Sequence, residues 1–336
     1  MKLREHDIRP PDILKEYLRL NAEDGRRLLE QAGTLQHRLC PGCNANNPQP
    51  AFQKNGYSLV HCGDCKSLYV ERTPSDEAFE AFYQDSPSAS YWANTFFPSV
   101  SEARREAIFQ PRAAQVDAIL ASYDMRLNVA IDVGAGAGLF LDEFGKLIPD
   151  ADLRAVEPSA ILSQTNRNLG RQVFEGYAAA AAMNPAWRAS GDLVTCFEVI
   201  EHIVDVDAFI ASLRDLCRPG GIMIISGLCG TGFDIRILGK YSNPVSPPHH
   251  LTFLSRAGVE RLIARLGLEL LSFMTPGVLD VDIVRNVVLR EPSAVTDNFV
   301  RDLVLNENEE IRAAFQNFLT ENGLSSHMWI VARRPG

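Results

Sequence analysis

The most regular pattern in the chain lies beyond Leu127, where short apolar, partly β-branched runs alternate with stretches of helical periodicity. Runs at 129–133, 153–156, 172–174, 193–197 and 222–226 read as strands, and the segments between them place apolar residues three and four apart. Strands that alternate with helices predict an α/β domain, a parallel sheet covered on both faces. A sixth strand fits 268–274 and a last one 328–332. Between these two, after Thr275-Pro276-Gly277, more than forty mostly polar residues, about 278–325, contain helix-like stretches and read as a helical insertion.

The N-terminal third follows other rules. Ile13, Leu14, Tyr17, Leu18, Leu20, Leu28 and Leu29 recur at helical spacing with charges between them, which predicts one or two helices. From Cys40 to Tyr69 the chain turns to short polar turns, glycines and prolines, with too little apolar mass to make a core unaided. Thr73-Pro74-Ser75-Asp76-Glu77 is a helix-start signal, followed by Phe79, Phe82 and Tyr83 on one face, and a further helix is expected over about 101–122. The expected units are a helical segment (1–38), a cysteine-bearing module (39–72), a helical linker or lid (73–126) and the α/β domain (127–336).

Composition narrows the class. With 336 residues and 46% hydrophobic content the chain can bury a sizeable core. Its net charge of −9, nearly balanced over residues 1–75, disfavours a nucleic-acid partner, and nothing reads as a signal peptide or a membrane-spanning run. A soluble, cytoplasmic protein is expected. Of seven cysteines, Cys196, Cys217 and Cys229 stand alone in apolar stretches and four form two C-x-x-C pairs, which suits a reducing compartment.

The first strand runs into Asp132-Val133-Gly134-Ala135-Gly136-Ala137-Gly138-Leu139. Alternating glycines after a strand let a ligand approach bare backbone, as in nucleotide-type cofactor sites. The spacing is D-x-G-x-G-x-G, not the G-x-G-x-x-G of dinucleotide dehydrogenases, so hydride transfer is the weaker reading. The motif resembles motif I of class I methyltransferases that use S-adenosyl-L-methionine (SAM). Leu216-Cys217-Arg218-Pro219-Gly220-Gly221 resembles the same family's L-x-P-G-G turn into its fifth strand. The resemblance implies a Rossmann-like seven-stranded sheet, mostly parallel with an antiparallel last strand and helices on both faces. It implies SAM contacts from Asp132, Gly134, Ala135, Gly136 and Gly138, from Phe197 and Glu198 after the fourth strand, and from Gly176 and Tyr177 near the adenine. Glu157, followed by Pro158, lies about twenty residues past the last glycine, where ribose-binding enzymes place an acid. The acid that many family members carry after the third strand has no counterpart in 178–182.

Glu198, Glu201 and His202 follow the fourth strand at i, i+3 and i+4, one face of a helical turn. This E-x-x-E-H resembles the motif of ubiquinone-biosynthesis O-methyltransferases and of enzymes that methylate the terminal ribose of small RNAs. That likeness implies a divalent cation (Mg, Mn, Fe or Zn) on Glu198, Glu201, His202 and a further histidine, His249 or His250, holding and acidifying an acceptor hydroxyl. Without metal, His202, His249 or His250 is the expected general base.

Cys40-x-x-Cys43 and Cys62-x-x-Cys65, eighteen residues apart, match a four-thiolate zinc ribbon whose filled coordination makes the ion structural, with a redox dithiol as the weaker alternative. A ribbon ahead of this core resembles bacterial methyltransferases of sugar, glycan and natural-product pathways, although the large C-terminal domain of deoxysugar C-methyltransferases has no match in this sequence. The implied acceptor is a hydroxyl of a carbohydrate, nucleotide-linked sugar or polyol. N- or C-methylation of a related sugar is the runner-up, and an RNA-modifying or partner-binding protein the alternative from another class. Tyr91, Trp92, Phe96 and Phe97 either cover the pocket or form a seam between the module and the core, while Asp280 and Asp282 read as surface acids of a loop. Nothing in the sequence speaks to oligomeric state.

Overall fold

The computed structural model describes residues 3–336. Seven strands build the central sheet: β1 (Val129–Val133), β2 (Asp152–Glu157), β3 (Gln172–Glu175), β4 (Gly191–Cys196), β5 (Cys217–Leu228), β6 (Glu269–Met274) and β7 (His327–Arg333). Their order is β3-β2-β1-β4-β5-β7-β6. The first five are parallel to one another, and β7 runs antiparallel between β5 and β6. This is the expected Rossmann-like mixed sheet with flanking helices.

The strands are apolar along both edges of their pleat because both faces are covered. Ile131, Val133, Val194, Cys196, Met223 and Ile225 pack on one side against helices Ala178–Met183, Val206–Leu216 and Arg256–Arg265. The alternate positions Ala130, Leu193, Ile222 and Ile224 pack on the other against helices Gln110–Ser122 and Leu139–Leu147. Strand order reverses between β1 and β4, so the crevice beyond their carboxyl ends is where a ligand site is built in such sheets.

Between β6 and β7, helices Asp280–Arg290, Asn298–Leu305 and Glu309–Glu321 form a separate apolar cluster around Val284 and Val304. Asp280 is not the surface acid its neighbourhood suggested. It is buried and accepts from Ser325 Oγ at 2.6 Å, the Ser326 amide at 2.7 Å and Gln316 Nε2 at 2.9 Å.

The N-terminal part starts with a short helix, Glu5–Ile8, and the long helix Pro11–Gln31, followed by three antiparallel strands, Pro48–Lys54, Tyr57–Cys62 and Leu68–Val70. A fourth strand, Thr252–Phe253, joins this sheet from beyond β5 through Thr252 opposite Tyr69 and Phe253 opposite Leu68. The helix expected from 101 begins earlier: helical structure runs from Pro87 to Ser122 and includes two π turns, Trp92–Phe96 and Arg105–Phe109. Each π turn inserts a residue and shifts the apolar stripe, so a 3.6-residue period does not carry through the segment.

Arg38 clamps these parts together. Its buried guanidinium donates to the carbonyls of Leu251 at 3.2 Å and Val204 at 2.8 Å, to Thr252 Oγ1 at 2.9 Å, and more distantly to Val70 and Ile203. Burial pushes its pKa down to about 10, still leaving it charged at neutral pH. Arg38→Met should lower unfolding free energy by about 2–4 kcal/mol in urea titrations, because several buried carbonyls lose a charged donor at once. Arg38→Lys should recover only part of it, since an ammonium cannot reach acceptors spread around a planar fork.

Candidate active site

A cavity of about 450 Å³ opens at the β1/β4 crevice and reaches under the N-terminal helices. Its floor is the turn after β1, with Gly134, Ala135, Gly136 and Ala137 in its lining. Gly134 (φ +74°) donates its amide to the Val156 carbonyl at 2.8 Å, and a Cβ there would sit 2.7 Å from Val199. Gly136 (φ +56°) has nothing within 4 Å of where its Cβ would be, so its bare backbone borders open space. Gly138 opens helix Leu139–Leu147, and a side chain there would strike Asn166 and Arg171.

Two acids brace the turn from below. Asp132, buried at the end of β1, accepts from Thr195 Oγ1 at 2.7 Å, and burial raises its pKa to about 7 despite that bond and nearby Arg112. Glu157 accepts from the Gly136 amide at 2.8 Å and the Ser159 amide at 2.9 Å, so the carboxylate expected at the ribose shapes the loop directly. Burial raises its pKa even so. Glu157, Pro158 and Gly138 stand behind the turn and do not line the cavity. Gly176 donates its amide to the Glu157 carbonyl at 3.1 Å, while Tyr177 is 64% exposed and outside the lining, so the structure does not bring its ring to the site.

Phe197 and Glu198 leave β4 on the other wall. Phe197 packs edge-on to Phe140 at 4.7 Å and carries the Arg112 guanidinium 4.5 Å above its centroid. Glu198 adopts φ +57°, an unfavourable conformation for a residue with a Cβ and one that recurs at functional sites. Its carboxylate accepts from Ser226 Oγ at 2.5 Å, His327 Nε2 at 2.7 Å and Arg112 at 3.4 Å. Burial opposes its charge, but His327, Arg112 and Ser226 outweigh this and hold it well below the usual carboxylate range.

The next turn, Ile200–His202, is 3₁₀ and not α. Together with the positive φ of Glu198, this dissolves the helical face on which Glu198, Glu201 and His202 were expected to converge. The group that does converge is Glu201, His202 and His250, whose ligand atoms lie within 4.8 Å of one another. Glu201 is buried, with Oε2 lacking a hydrogen-bond partner among the described residues, and burial raises its pKa, aided by Glu198. Burial also lowers the pKa of His202 and His250, which keeps both imidazoles neutral. His250 places Nδ1 2.6 Å from the Pro244 carbonyl, fixing the proton there and leaving the Nε2 lone pair free.

His249, the other histidine offered for the metal set, stands apart. Its Nε2 lies 2.7 Å from Ser88 Oγ, which donates to Asp24 at 2.5 Å, and its ring packs against Phe82 and Tyr83 at 5.6 Å. Burial pushes its pKa down to about 3. The ring lines the cavity but belongs to this serine–aspartate relay.

The remaining wall is aromatic, with Tyr17, Tyr83, Trp92, Phe96, Phe97 and Phe109 in the lining. Tyr91 is absent from it, so the aromatic segment both faces the cavity and forms a seam, Trp92 stacking on Phe96 at 4.4 Å. Arg9, Arg104, Arg112 and His327 were not anticipated: a lone arginine reads as a solvated charge, and His327 opens a strand with no motif around it.

Comparison with known proteins agrees with this architecture. Residues 103–272 match the family described as "Methyltransferase domain". The chain belongs to that family, and its α/β core is the domain of a SAM-dependent methyltransferase. Among curated proteins it is similar to the ubiquinone biosynthesis O-methyltransferase of Rhodopseudomonas palustris (strain BisB18), 35% identical over 100 residues, 29% of this chain and 39% of that protein. The counterpart from Brucella anthropi is 28% identical over 163 residues, 41% of this chain and 61% of that protein. The match thus spans about two-fifths to three-fifths of these relatives' length. Among solved structures, the geranyl diphosphate C-methyltransferase of Streptomyces coelicolor A3(2) covers 94% of this chain and 98% of its own, at 12% identity and a TM-score of 0.45.

The glycine turn fits the methyl donor by its chemistry: open backbone at Gly136, shaped by a buried acid. Gly136→Val should leave a folded protein destabilised by about 1–2 kcal/mol from the strained φ, with SAM affinity lowered at least about tenfold in calorimetric titration. Unchanged SAM affinity would remove the turn from the donor site.

Proposed function

We propose that this protein O-methylates a hydroxyl of a small ring-containing acceptor bound in the aromatic half of the cavity. The observation that carries the reading is that Glu201, His202 and His250 line the same cavity as the Gly134–Ala137 turn. SAM, when bound, supplies a methyl group on a sulfonium, an electrophile that needs an oxygen nucleophile aligned with the C–S bond. Gly134, Ala135 and Gly136 would hold its amino-acid and ribose portions, with Glu157 behind them and Phe197 alongside. Asp132, buried and bonded to Thr195, keeps the start of the turn in place.

The two neutral imidazoles and the Glu201 carboxylate form a mixed oxygen and nitrogen donor set suited to a divalent cation, and the bond from His250 Nδ1 to Pro244 is the outer support that metal-binding histidines use. A cation there would acidify and orient the acceptor hydroxyl. His202 and His250 are also the groups able to accept the hydroxyl proton. Tyr17, Tyr83, Trp92 and Phe96 favour an acceptor with a flat face, either the C–H face of a sugar or a hydroxylated aromatic ring. A methyl-transfer screen over nucleotide sugars, other polyols and hydroxylated aromatics, run with and without chelator, tests this. Chelation should abolish turnover and added Mg²⁺ or Mn²⁺ restore it, and Glu201→Ala and His250→Ala should each lower kcat at least about tenfold. Turnover indifferent to chelator and to Glu201→Ala would eliminate the cation.

We further propose that Cys40, Cys43, Cys62 and Cys65 hold one structural zinc ion. The four sulfurs lie within 4.8 Å of one another, with Cys40 to Cys65 at 3.4 Å and Cys43 to Cys62 at 3.5 Å. Bonds of about 2.3 Å in a tetrahedron set sulfurs about 3.8 Å apart, close to these values. Purified protein should contain one zinc per chain by elemental analysis, and Cys62→Ser should lose it together with stability. Full-length folded protein without zinc would reject the site.

A further inference from the structure

The acceptor half of the cavity contains a guanidinium, that of Arg104, with which no carboxylate forms an ion pair among the described residues. Arg104 ends helix Phe97–Arg104, directly before the π turn Arg105–Phe109, and lines the cavity. Its guanidinium carbon lies 5.7 Å from the Trp92 ring and 5.6 Å from the Phe97 ring, between two flat apolar surfaces. Its Nε is buried without a hydrogen-bond partner, and no carboxylate pairs with it among the described residues. Arg9 lines the same cavity from the N-terminal segment; its Nη1 is also buried without a hydrogen bond, and Glu5 is no closer than 3.7 Å.

The acids of the cavity are otherwise engaged. Asp132 is bonded to Thr195, and Glu198 to His327, Ser226 and Arg112. Glu201 belongs to the histidine cluster. Burial, with repulsion from Arg9 and Arg112, pushes the pKa of Arg104 down to about 10 although the Glu198 charge acts the other way, so it stays protonated at neutral pH. A guanidinium left without acceptors in an enclosed space is costly, and evolution usually removes it unless something binds it.

We propose that the acceptor carries a compact anionic group, a carboxylate or a phosphate, which Arg104 binds together with Arg9 while Trp92 and Phe97 hold the attached ring. The inference rests on reading the cavity as the acceptor chamber of a methyltransferase. It adds a requirement that this reading lacks: the hydroxyl to be methylated belongs to an acid, and a planar guanidinium fork suits either oxyanion.

The test uses the full chain with S-adenosylhomocysteine bound and two matched probe pairs, 3,4-dihydroxybenzoate against its amide and phenyl phosphate against phenol. Binding is followed by calorimetry. The acid of at least one pair should bind about tenfold or more tightly than its neutral partner, the gain expected of a charge-assisted hydrogen bond. Whichever pair shows it identifies the oxyanion. Arg104→Gln should abolish the preference without changing affinity for the neutral probe or for S-adenosylhomocysteine. Arg104→Lys should retain part of it, and Arg9→Gln, an independent variant, should weaken it. Absence of preference in both pairs, or its survival in Arg104→Gln and Arg9→Gln, overturns the proposal. So does a loss of S-adenosylhomocysteine affinity in Arg104→Gln, which would assign the guanidinium to the donor's own carboxylate. Donor affinity and acid preference are measured separately, so failure of the methyltransferase reading, seen as wild-type protein that does not bind S-adenosylhomocysteine, is distinguished from failure of the anion subsite.

Discussion

The geometry of the site depends on one buried arginine. Arg38 precedes the first cysteine pair by two residues and reaches the carbonyls of Ile203, Val204 and Leu251 and the hydroxyl of Thr252. Those residues directly follow Glu201-His202 and His249-His250 in the chain. The Leu251 amide in turn donates to the Glu201 carbonyl at 2.7 Å, so both histidine segments are tied to each other and to one guanidinium. A charged donor serving several carbonyls tolerates little displacement, because moving any one segment leaves a buried acceptor unpartnered. The convergence of Glu201, His202 and His250 is therefore set partly from outside the sheet that presents them.

The same constraint explains how the cysteine-bearing part is attached. Its sheet is completed by Thr252–Phe253, and the turn of its first cysteine pair packs on the C-terminal half of the α/β core, where Gly42 lies so close to Gly258 that a Cβ would come within 2.8 Å of that backbone. Arg265 adds a bond to the Gly42 carbonyl at 3.0 Å. Attachment at these points leaves helix Pro11–Gln31 to roof the cavity, where Asn21 donates to Ser246 and Asp24 holds Ser88, the partner of His249. The roof and the histidine loop form one hydrogen-bonded unit, so the N-terminal segment supplies a wall of the cavity as well as stability.

What was legible in the sequence is what local rules decide. The strands announced themselves because both faces are buried, and the glycine turn because alternating glycines are unfavourable without a ligand or a tight approach to excuse them. The convergence of Glu198, Glu201 and His202 was misjudged because it assumed an α-turn. A single positive φ at Glu198 and a 3₁₀ turn after it send one carboxylate toward His327 and the other toward His250. Arg38, Arg112 and His327 gave no signal: their partners are distant in sequence, and for Arg38 they are mainly backbone carbonyls, which every residue carries. Choosing between His249 and His250 required knowing that Ser88, on a helix far upstream, occupies the first.

Along the cavity the electrostatics change character in a way that suits transfer of a cationic methyl group to a nucleophile that must lose a proton. Beside the glycine turn Glu198 stays ionised because His327, Arg112 and Ser226 hold its charge, and the Arg112 guanidinium offsets that charge locally. In the middle, burial keeps His202 and His250 neutral, the state in which an imidazole can accept a proton or ligate a cation. Their neutrality also has a structural consequence: two imidazoles 4.7 Å apart between centroids would repel if both were charged. At the far end the aromatic wall lowers the local dielectric around Arg104, so an anion arriving there would be attracted more strongly than at an open surface. On the proposed reading, neutral histidines at the centre and an unpaired guanidinium at one end would give an anionic acceptor one favoured orientation, its acid toward Arg104 and its hydroxyl toward the histidines, before any shape complementarity is considered.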